Sequence, residues 1–181
     1  MISTELQIKK VTWKTKDKNK IKEIYISSFP KDDRMPFWLM LFIAGRPGTD
    51  FLSFYDKDTL CGFTYMAVAE NLTFILYFAV DKNNRSGGYG SHILEKIEAV
   101  HPGSKIILSI EICNEGDIEQ RLKRKKFYLK NGYSETGYII NFGKEDQEIL
   151  VKNGEFDPAE LEMFFRKYSK GIMKHKITKK K

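Results

Sequence analysis

The part of this sequence most suited to binding a ligand is a glycine-rich loop that follows a strongly apolar run. Gly87, Gly88 and Gly90 come shortly after Arg85. Glycine has no Cβ atom, so the backbone at these positions can approach a ligand closely. A helix is predicted to begin near Ser91 and to direct unsatisfied N–H groups and the positive end of its dipole into the loop. The combination indicates a pyrophosphate site, and a plain tight turn is the alternative interpretation.

Two familiar phosphate-binding motifs do not fit this loop. Gly88-Tyr89-Gly90 lacks the third glycine of the dinucleotide fingerprint, and the predicted elements are not a repeated strand–helix–strand unit. No Gly-Lys-Ser or Gly-Lys-Thr follows, which excludes a Walker A loop.

The loop has the form Arg85-x-x-Gly88-x-Gly90. It resembles the Arg/Gln-x-x-Gly-x-Gly/Ala signature of the GNAT superfamily of acyl-CoA-dependent N-acetyltransferases. Further along, Phe127-Tyr128-Leu129-Lys130-Asn131-Gly132-Tyr133 resembles the second landmark of that family, Phe-Tyr-x-x-x-Gly-Phe. The order of predicted strands and helices is also similar to the family over about residues 6–151. The resemblance implies transfer of an acetyl group from acetyl-CoA, by direct attack on the thioester, to a primary amine of an unidentified acceptor.

The resemblance also implies which residues hold acetyl-CoA. Main-chain groups of Phe78 and Val80 are expected to bind the pantetheine arm as an added strand does. A backbone N–H near Ala79 or Val80 is the candidate donor to the oxyanion. The residues implied for the phosphates are Arg85, Ser86, Gly87, Gly88, Tyr89, Gly90 and Ser91.

Tyr128 is the candidate general acid for the departing thiolate, because it occupies the family's tyrosine position. A tyrosine pKa near ~10 and a thiol pKa near ~8.5 are close enough for proton transfer. The alternative is that Tyr128 is only a packing aromatic.

Glu111 is the candidate general base. It is the lone acid in an otherwise uncharged run from Ile106 to Cys113, so we expect desolvation to raise its pKa. The alternative is a structural carboxylate paired with Arg121 or a backbone donor. Three other acids stay open as bases: Asp32, Asp33 and Glu70. The predicted helix that contains Tyr128 is unusually basic. One or two of its cations are candidates for contacts with the nucleotide phosphates, and they are Arg121, Lys123, Arg124, Lys125, Lys126 and Lys130.

The elements that would position these residues alternate along the chain as β-α-α-β-β-β-α-β-α-β-β-α. This order predicts an α/β fold with a mixed, mostly antiparallel central sheet and helices on both faces. The resemblance adds a splayed pair of strands. We expect one domain over residues 1–171, with a core at about 6–151, a C-terminal helix at about 157–170 and a basic tail at 172–181. The lysines of 174–181 are expected to be dispensable.

Composition limits the classes of protein that remain. Hydrophobic residues make up 41% of 181 residues, enough for one packed core. The net charge of +7 falls to about +2 without residues 174–181. Another run, Lys9 to Lys22, holds seven lysines and one aspartate, and solvated surface is the expected interpretation.

The compartment and cofactors follow from what the sequence contains. Cys61 and Cys113 are far apart and are expected to be free thiols in a reducing compartment. No signal-peptide pattern opens the chain, and the apolar run from Phe37 to Ala44 is far shorter than the ~20 residues of a membrane span. A cytoplasmic transferase without a metal, either monomer or homodimer, is the prediction.

Two other functions stay open from the sequence alone. One is a non-catalytic module that binds acetyl-CoA and regulates a partner. The other, ranked lower, is a nucleic-acid-binding protein that uses the lysine runs and exposed aromatics. Nucleic acid is therefore not the expected partner.

Overall fold

Strands and helices alternate along the chain in the computed structural model, which describes residues 5–69, 71–114, 116–143 and 145–180. The helices are α1 (Lys18–Ser28), α2 (Phe37–Ala44), α3 (Tyr89–Val100), α4 (Ile118–Lys130) and α5 (Pro158–Ser169). The strands are β1 (Gln7–Lys10), β2 (Thr49–Asp56), β3 (Thr59–Val68), β4 (Leu72–Val80), β5 (Lys105–Glu111), β6 (Ser134–Asn141), β7 (Asp146–Lys152) and β8 (Lys176–Lys179). Within the described ranges, no helix has both the length and the apolar character that crossing a bilayer requires.

The strands form a sheet in the order β1-β2-β3-β4-β5-β7-β6-β8. Antiparallel pairing joins β1 to β2, β2 to β3, β5 to β7, β6 to β7 and β6 to β8. The α/β fold class and the mostly antiparallel sheet predicted from the sequence are confirmed. The chain divides into two compact units, Met1–Val68 with Ile75–Pro102, and Ala69–Phe74 with Gly103–Lys181.

The first unit has a core rich in aromatic rings. Tyr25 of α1 is buried and makes edge contacts with Phe63 and Tyr77, at centroid distances of 6.1 and 5.0 Å. The Tyr77 hydroxyl donates to the carbonyl of Asp33 at 2.9 Å and accepts from the N–H of Met35 at 3.1 Å. These bonds tie the segment before α2 to strand β4.

Helix α2 is apolar around its whole circumference, but only one side of it is covered. Met40 and Leu41 are buried, whereas Trp38 is 61% exposed and Phe42 is 51% exposed. Large aromatic side chains are usually buried, so their exposure on one helix is informative. This exposure is not predicted by the apolar run in the sequence.

The second unit is built on β5 and β7 with α5. Phe74, at the start of β4, packs against Phe165 of α5 at a centroid distance of 4.9 Å. Helix α5 begins where the sequence predicts, with the Asp157 carboxylate accepting from the N–H of Ala159 at 2.9 Å and Pro158 in the first turn.

The predicted basic tail is partly ordered in a strand. Lys176–Lys179 forms β8 and pairs antiparallel with β6. Beyond it, the Lys180 ammonium lies 2.5 Å from Glu148, whose other oxygen lies 2.8 Å from Lys125. Burial raises the pKa of the Glu148 carboxyl, but these two lysines outweigh it and hold that pKa below its usual value. Part of the segment that the sequence analysis separates as a basic tail therefore belongs to the sheet.

Candidate active site

The end of strand β4 is held close to strand β3. Gly62 of β3 faces β4 so closely that a Cβ atom there would lie 2.4 Å from the carbonyl oxygen of Ala79 and 3.2 Å from Cα of Val80. Only glycine fits this approach without displacing backbone. Gly62 therefore sets the position of the segment to which the resemblance assigns the pantetheine arm and the oxyanion.

Asp81 organises the turn that leaves β4. Its carboxylate accepts from the N–H of Asn83 at 3.0 Å and lies 3.8 Å from the Lys20 ammonium, and the residue is buried. The short 3-10 turn Lys82–Asn84 follows, and the Asn84 amide donates to the carbonyl of Leu60 at 3.2 Å. These contacts fix the first residues of the loop, which precede its glycines.

The glycine-rich loop turns sharply into helix α3. Ser86 and Gly88 both have positive φ, at 65° and 81°. Gly88 is the residue that precedes the helix, and its carbonyl accepts from the N–H groups of Ser91 and His92 at 3.1 and 3.3 Å. The helix starts at Tyr89, two residues before the predicted Ser91. Arg85, Ser86 and Gly88 are exposed, which leaves this corner open to a ligand.

The hydroxyl of Tyr89 makes a hydrogen bond within the protein. The hydroxyl donates to Oδ2 of Asp56, the last residue of β2, at 2.7 Å. The hydrogen bond to Asp56 raises the pKa of Tyr89 to about 12. The phenol therefore stays protonated and keeps this bond throughout the neutral range.

Tyr128 is the buried residue of helix α4, with 8% of its surface exposed. Its ring meets that of Tyr133 edge-on, at a centroid distance of 5.5 Å. Burial raises the pKa of the Tyr128 hydroxyl well above its usual value, with Arg124 lowering it and Glu111 raising it by smaller amounts. The phenol is therefore protonated at neutral pH, but its pKa is further from that of a thiol than the ordinary tyrosine value used in the sequence analysis.

Glu111, at the end of β5, is paired with Arg124 of α4 by a direct hydrogen bond. The sequence-based prediction that desolvation leaves its pKa raised is wrong in direction. Burial does raise the pKa of Glu111, but the hydrogen bond and charge of Arg124 outweigh it, so the pKa is lowered. Arg121, the partner considered from sequence, instead donates to the carbonyl of Ile112 at 2.9 Å.

The other acids weighed as bases differ in their surroundings. Asp32 is exposed and Asp33 is half-buried, both in the 3-10 turn Lys31–Asp33. Glu70 lies outside the described residues.

Much of the charge on the basic helix α4 is balanced by acids. Arg121 lies 3.3 Å from Glu145, Lys123 lies 2.6 Å from Glu119, and Lys125 lies 2.9 Å from Glu135. With Arg124 bound to Glu111, four of the six cations noted in the sequence have carboxylate partners. The other two, Lys126 and Lys130, are exposed.

Four positions that shape the loop were not identified from the sequence: Asp56, Gly62, Asp81 and Asn84. A glycine within an apolar strand often marks a site where another backbone approaches closely, so the role of Gly62 could have been predicted from the sequence. The other three act through contacts with residues distant in sequence, which no local pattern contains.

Comparisons with known proteins agree with this fold. Residues 47–135 match the family model of the acetyltransferase (GNAT) domain. No curated protein matches the chain in sequence. The fold is similar to a putative GNAT acetyltransferase from Bacteroides thetaiotaomicron, at 20% identity over 92% of this chain and 98% of the other, with a TM-score of 0.76.

Two further solved structures share the fold. PaiA N-acetyltransferase from Thermoplasma acidophilum, in complex with coenzyme A, is 16% identical over 82% of this chain and 98% of its own, with a TM-score of 0.58. Naa50 from Arabidopsis thaliana, in complex with the bisubstrate analogue CoA-Ac-MVNAL, is 21% identical over 81% and 97%, with a TM-score of 0.57.

The match over residues 47–135, together with the shared fold, defines the class of protein as one with an acetyltransferase (GNAT) domain. This chain belongs to the GNAT superfamily.

Proposed function

We propose that the protein transfers the acetyl group of acetyl-CoA to a primary amine. The observation that carries the proposal is the loop Arg85–Ser91, in which Gly88 takes positive φ immediately before helix α3. Main-chain N–H groups at the start of a helix, together with its dipole, favour bound phosphate. Arg85 is exposed beside them and supplies a charged donor for the pyrophosphate of acetyl-CoA. Phe78 and Val80 bind the pantetheine arm through main-chain groups.

The reaction requires an attack, a stabilised oxyanion and a protonated leaving group. The neutral amine nitrogen attacks the thioester carbonyl carbon, and the carbonyl oxygen becomes an oxyanion held by a backbone N–H near Ala79 or Val80. Collapse of this intermediate breaks the C–S bond, and Tyr128 donates its proton to the departing thiolate. The ammonium first loses one proton to water or to a carboxylate at the acceptor side. The attacking nitrogen loses a second proton as the amide forms, and the Tyr128 phenolate takes up a proton to complete the cycle. Support for this role comes from the position of Tyr128 in the landmark Phe127-Tyr128-x-x-x-Gly132, whereas its raised pKa makes the phenol a weaker acid than an ordinary tyrosine.

For Glu111 we propose the structural role rather than that of general base. A base must accept a proton near neutral pH, and a carboxylate whose pKa is lowered by Arg124 is a poor acceptor there. The Glu111–Arg124 pair instead links the end of β5 to helix α4, and each charge neutralises the other.

The test begins with acetyl-CoA itself. Calorimetry should give a dissociation constant in the micromolar range, and saturating acetyl-CoA should raise the melting temperature by mass action. If calorimetry detects no heat of binding at millimolar acetyl-CoA, the proposed function is wrong.

Release of free thiol, measured across a panel of amines, then identifies the acceptor. The panel should include peptide N-termini, because the Naa50 structure holds a bisubstrate analogue with a peptide portion. Turnover with any amine excludes a non-catalytic acetyl-CoA-binding module.

A further inference from the structure

A groove of about 350 Å³ lies between helices α1 and α2, on the surface of the first unit. Its apolar part is formed by Phe37 and Leu41, and Trp13 and Trp38 also line it. Lys18 and Lys22 of α1 supply positive charge in the same groove. The loop Arg85–Ser91 contributes none of the lining residues, so this groove is separate from the proposed acetyl-CoA loop.

Both tryptophans in the groove are left largely in water. Trp13 is 54% exposed and Trp38 is 61% exposed. Exposed aromatic surface is unfavourable relative to surface that is covered by a partner. Clustered exposure of large apolar side chains marks interaction sites more often than scattered exposure does.

The lysines of the groove repel one another in the free protein. Lys18 and Lys22 are four residues apart on α1, and like charges at that spacing destabilise a helix. The Lys18 ammonium donates to the main-chain carbonyl of Trp13 at 2.8 Å, which holds this charge against the backbone of a residue that lines the groove. An ammonium has three donors, so two stay available for an anion. The whole run from Lys9 to Lys22 holds seven lysines and one aspartate.

We propose that this groove binds single-stranded nucleic acid, with bases stacked on Trp13 and Trp38 and phosphates contacted by Lys18 and Lys22. Aromatic platforms beside a basic groove are the general means of holding single strands without reading their sequence. The sequence alone ranked nucleic acid low, because it did not place the tryptophans together beside these lysines.

Other occupants fit the groove less well. Lysine is depleted in protein–protein interfaces but abundant where proteins meet nucleic acid. A second copy of the chain would bring lysines against lysines. An anionic membrane favours aromatic side chains that project into the lipid interface, whereas these two line a concave groove of limited volume.

The two tryptophans of the chain provide a direct readout, because the sequence contains only these two and both line the groove. A uridine oligonucleotide of about ten residues is titrated while tryptophan emission is recorded, with and without saturating acetyl-CoA. We expect a saturable change in emission at low salt under both conditions. The association constant should fall with salt, at about −0.7 in log–log slope for each phosphate contacted. Unchanged emission at low salt overturns the proposal.

Variants test the assigned contacts by anisotropy of a fluorescein-labelled oligonucleotide. Trp38→Ala should weaken binding about tenfold, and Trp13→Ala serves as the second variant if the first lowers the melting temperature. The double variant Lys18→Gln, Lys22→Gln should weaken binding and flatten the salt slope by about 1.4. The matched control, Lys167→Gln with Lys170→Gln, removes the same charge from exposed positions of α5 and its end and should leave binding unchanged.

Three further outcomes overturn the proposal. Equal affinity for a duplex of the same length would show that base stacking is not used. Binding that is insensitive to both tryptophan variants would place the nucleic acid elsewhere. A change in emission with polyglutamate or with phosphatidylserine vesicles, but not with the oligonucleotide, would assign the groove to an acidic protein or to a membrane surface.

Discussion

The hydroxyl of Tyr89 lies 2.7 Å from Oδ2 of Asp56, so the first residue of helix α3 is bonded to the last residue of β2. Tyr89 directly follows Gly88, the residue whose positive φ turns the chain into the helix. The bond therefore fixes the orientation of the N–H groups that we assign to the pyrophosphate. Asp56 positions the loop without providing a donor to the ligand.

Tyr89→Phe should weaken acetyl-CoA binding about fivefold to tenfold, because the loop loses the hydrogen bond that orients its N–H groups, and a typical hydrogen bond contributes about 1 kcal/mol. Calorimetric dissociation constants check this. Tyr138→Phe removes a hydroxyl from β6 and should bind acetyl-CoA as the wild type does. Equal affinities for all three proteins would mean that the bond to Asp56 does not position the loop.

Gly88→Val should abolish detectable acetyl-CoA binding. A branched Cβ would occupy space that the phosphate needs, and φ of 81° is strained for valine. Gly103→Val is the matched control, since Gly103 has φ of 75° and a Cβ added there would meet no atom within 4 Å. Both variants carry the same backbone strain, so only Gly88→Val should lose binding. Similar losses in both would attribute the effect to strain alone.

Deleting residues 174–181 should lower the melting temperature by several degrees, contrary to the expectation of a dispensable tail. The deletion removes β8 from its pairing with β6 and removes Lys180 from Glu148, a carboxylate that is 1% exposed. A buried charge that loses a partner is costly. The control Lys176→Gln with Lys179→Gln keeps the strand and lowers only the charge. An unchanged melting temperature after deletion would show that β8 adds no stability.

The sequence predicted the element order because glycines, prolines and apolar periodicity mark the boundaries locally. It predicted the loop and α5 for the same reason: Gly88 and the Asp157-Pro158 start are local signals. It did not predict that Arg124, rather than Arg121, binds Glu111, because that depends on the rotation of α4 about its axis. The strand β8 was missed since four residues rich in lysine acquire strand structure only by pairing with an available edge.

Glu111→Gln distinguishes its two proposed roles. A general base contributes about 10²-fold or more, so its loss would be large. We expect turnover to stay within a few-fold of wild type, because Glu111 is paired with Arg124. The sign of the pKa shift gives a second check. With its pKa lowered, Glu111 protonates only below its ordinary range near ~4.3, so any acidic limb of kcat/KM at pH 6 to 8 should persist in the variant. If the variant lost both the acidic limb of kcat/KM and most of its turnover, Glu111 would be the general base after all.

Tyr128→Phe tests the proposed acid with little disturbance of the fold. The ring of Tyr128 is buried and packs edge-on against Tyr133, and phenylalanine keeps that packing while it removes the proton. Turnover should fall by about 10²-fold or more, while the calorimetric dissociation constant for acetyl-CoA stays near the wild-type value. A loss confined to kcat shows that the hydroxyl acts in the transition state rather than in binding. Where no acceptor has been identified, slow hydrolysis of acetyl-CoA provides the rate. Full activity of Tyr128→Phe on an identified acceptor would show that water or another residue protonates the thiolate.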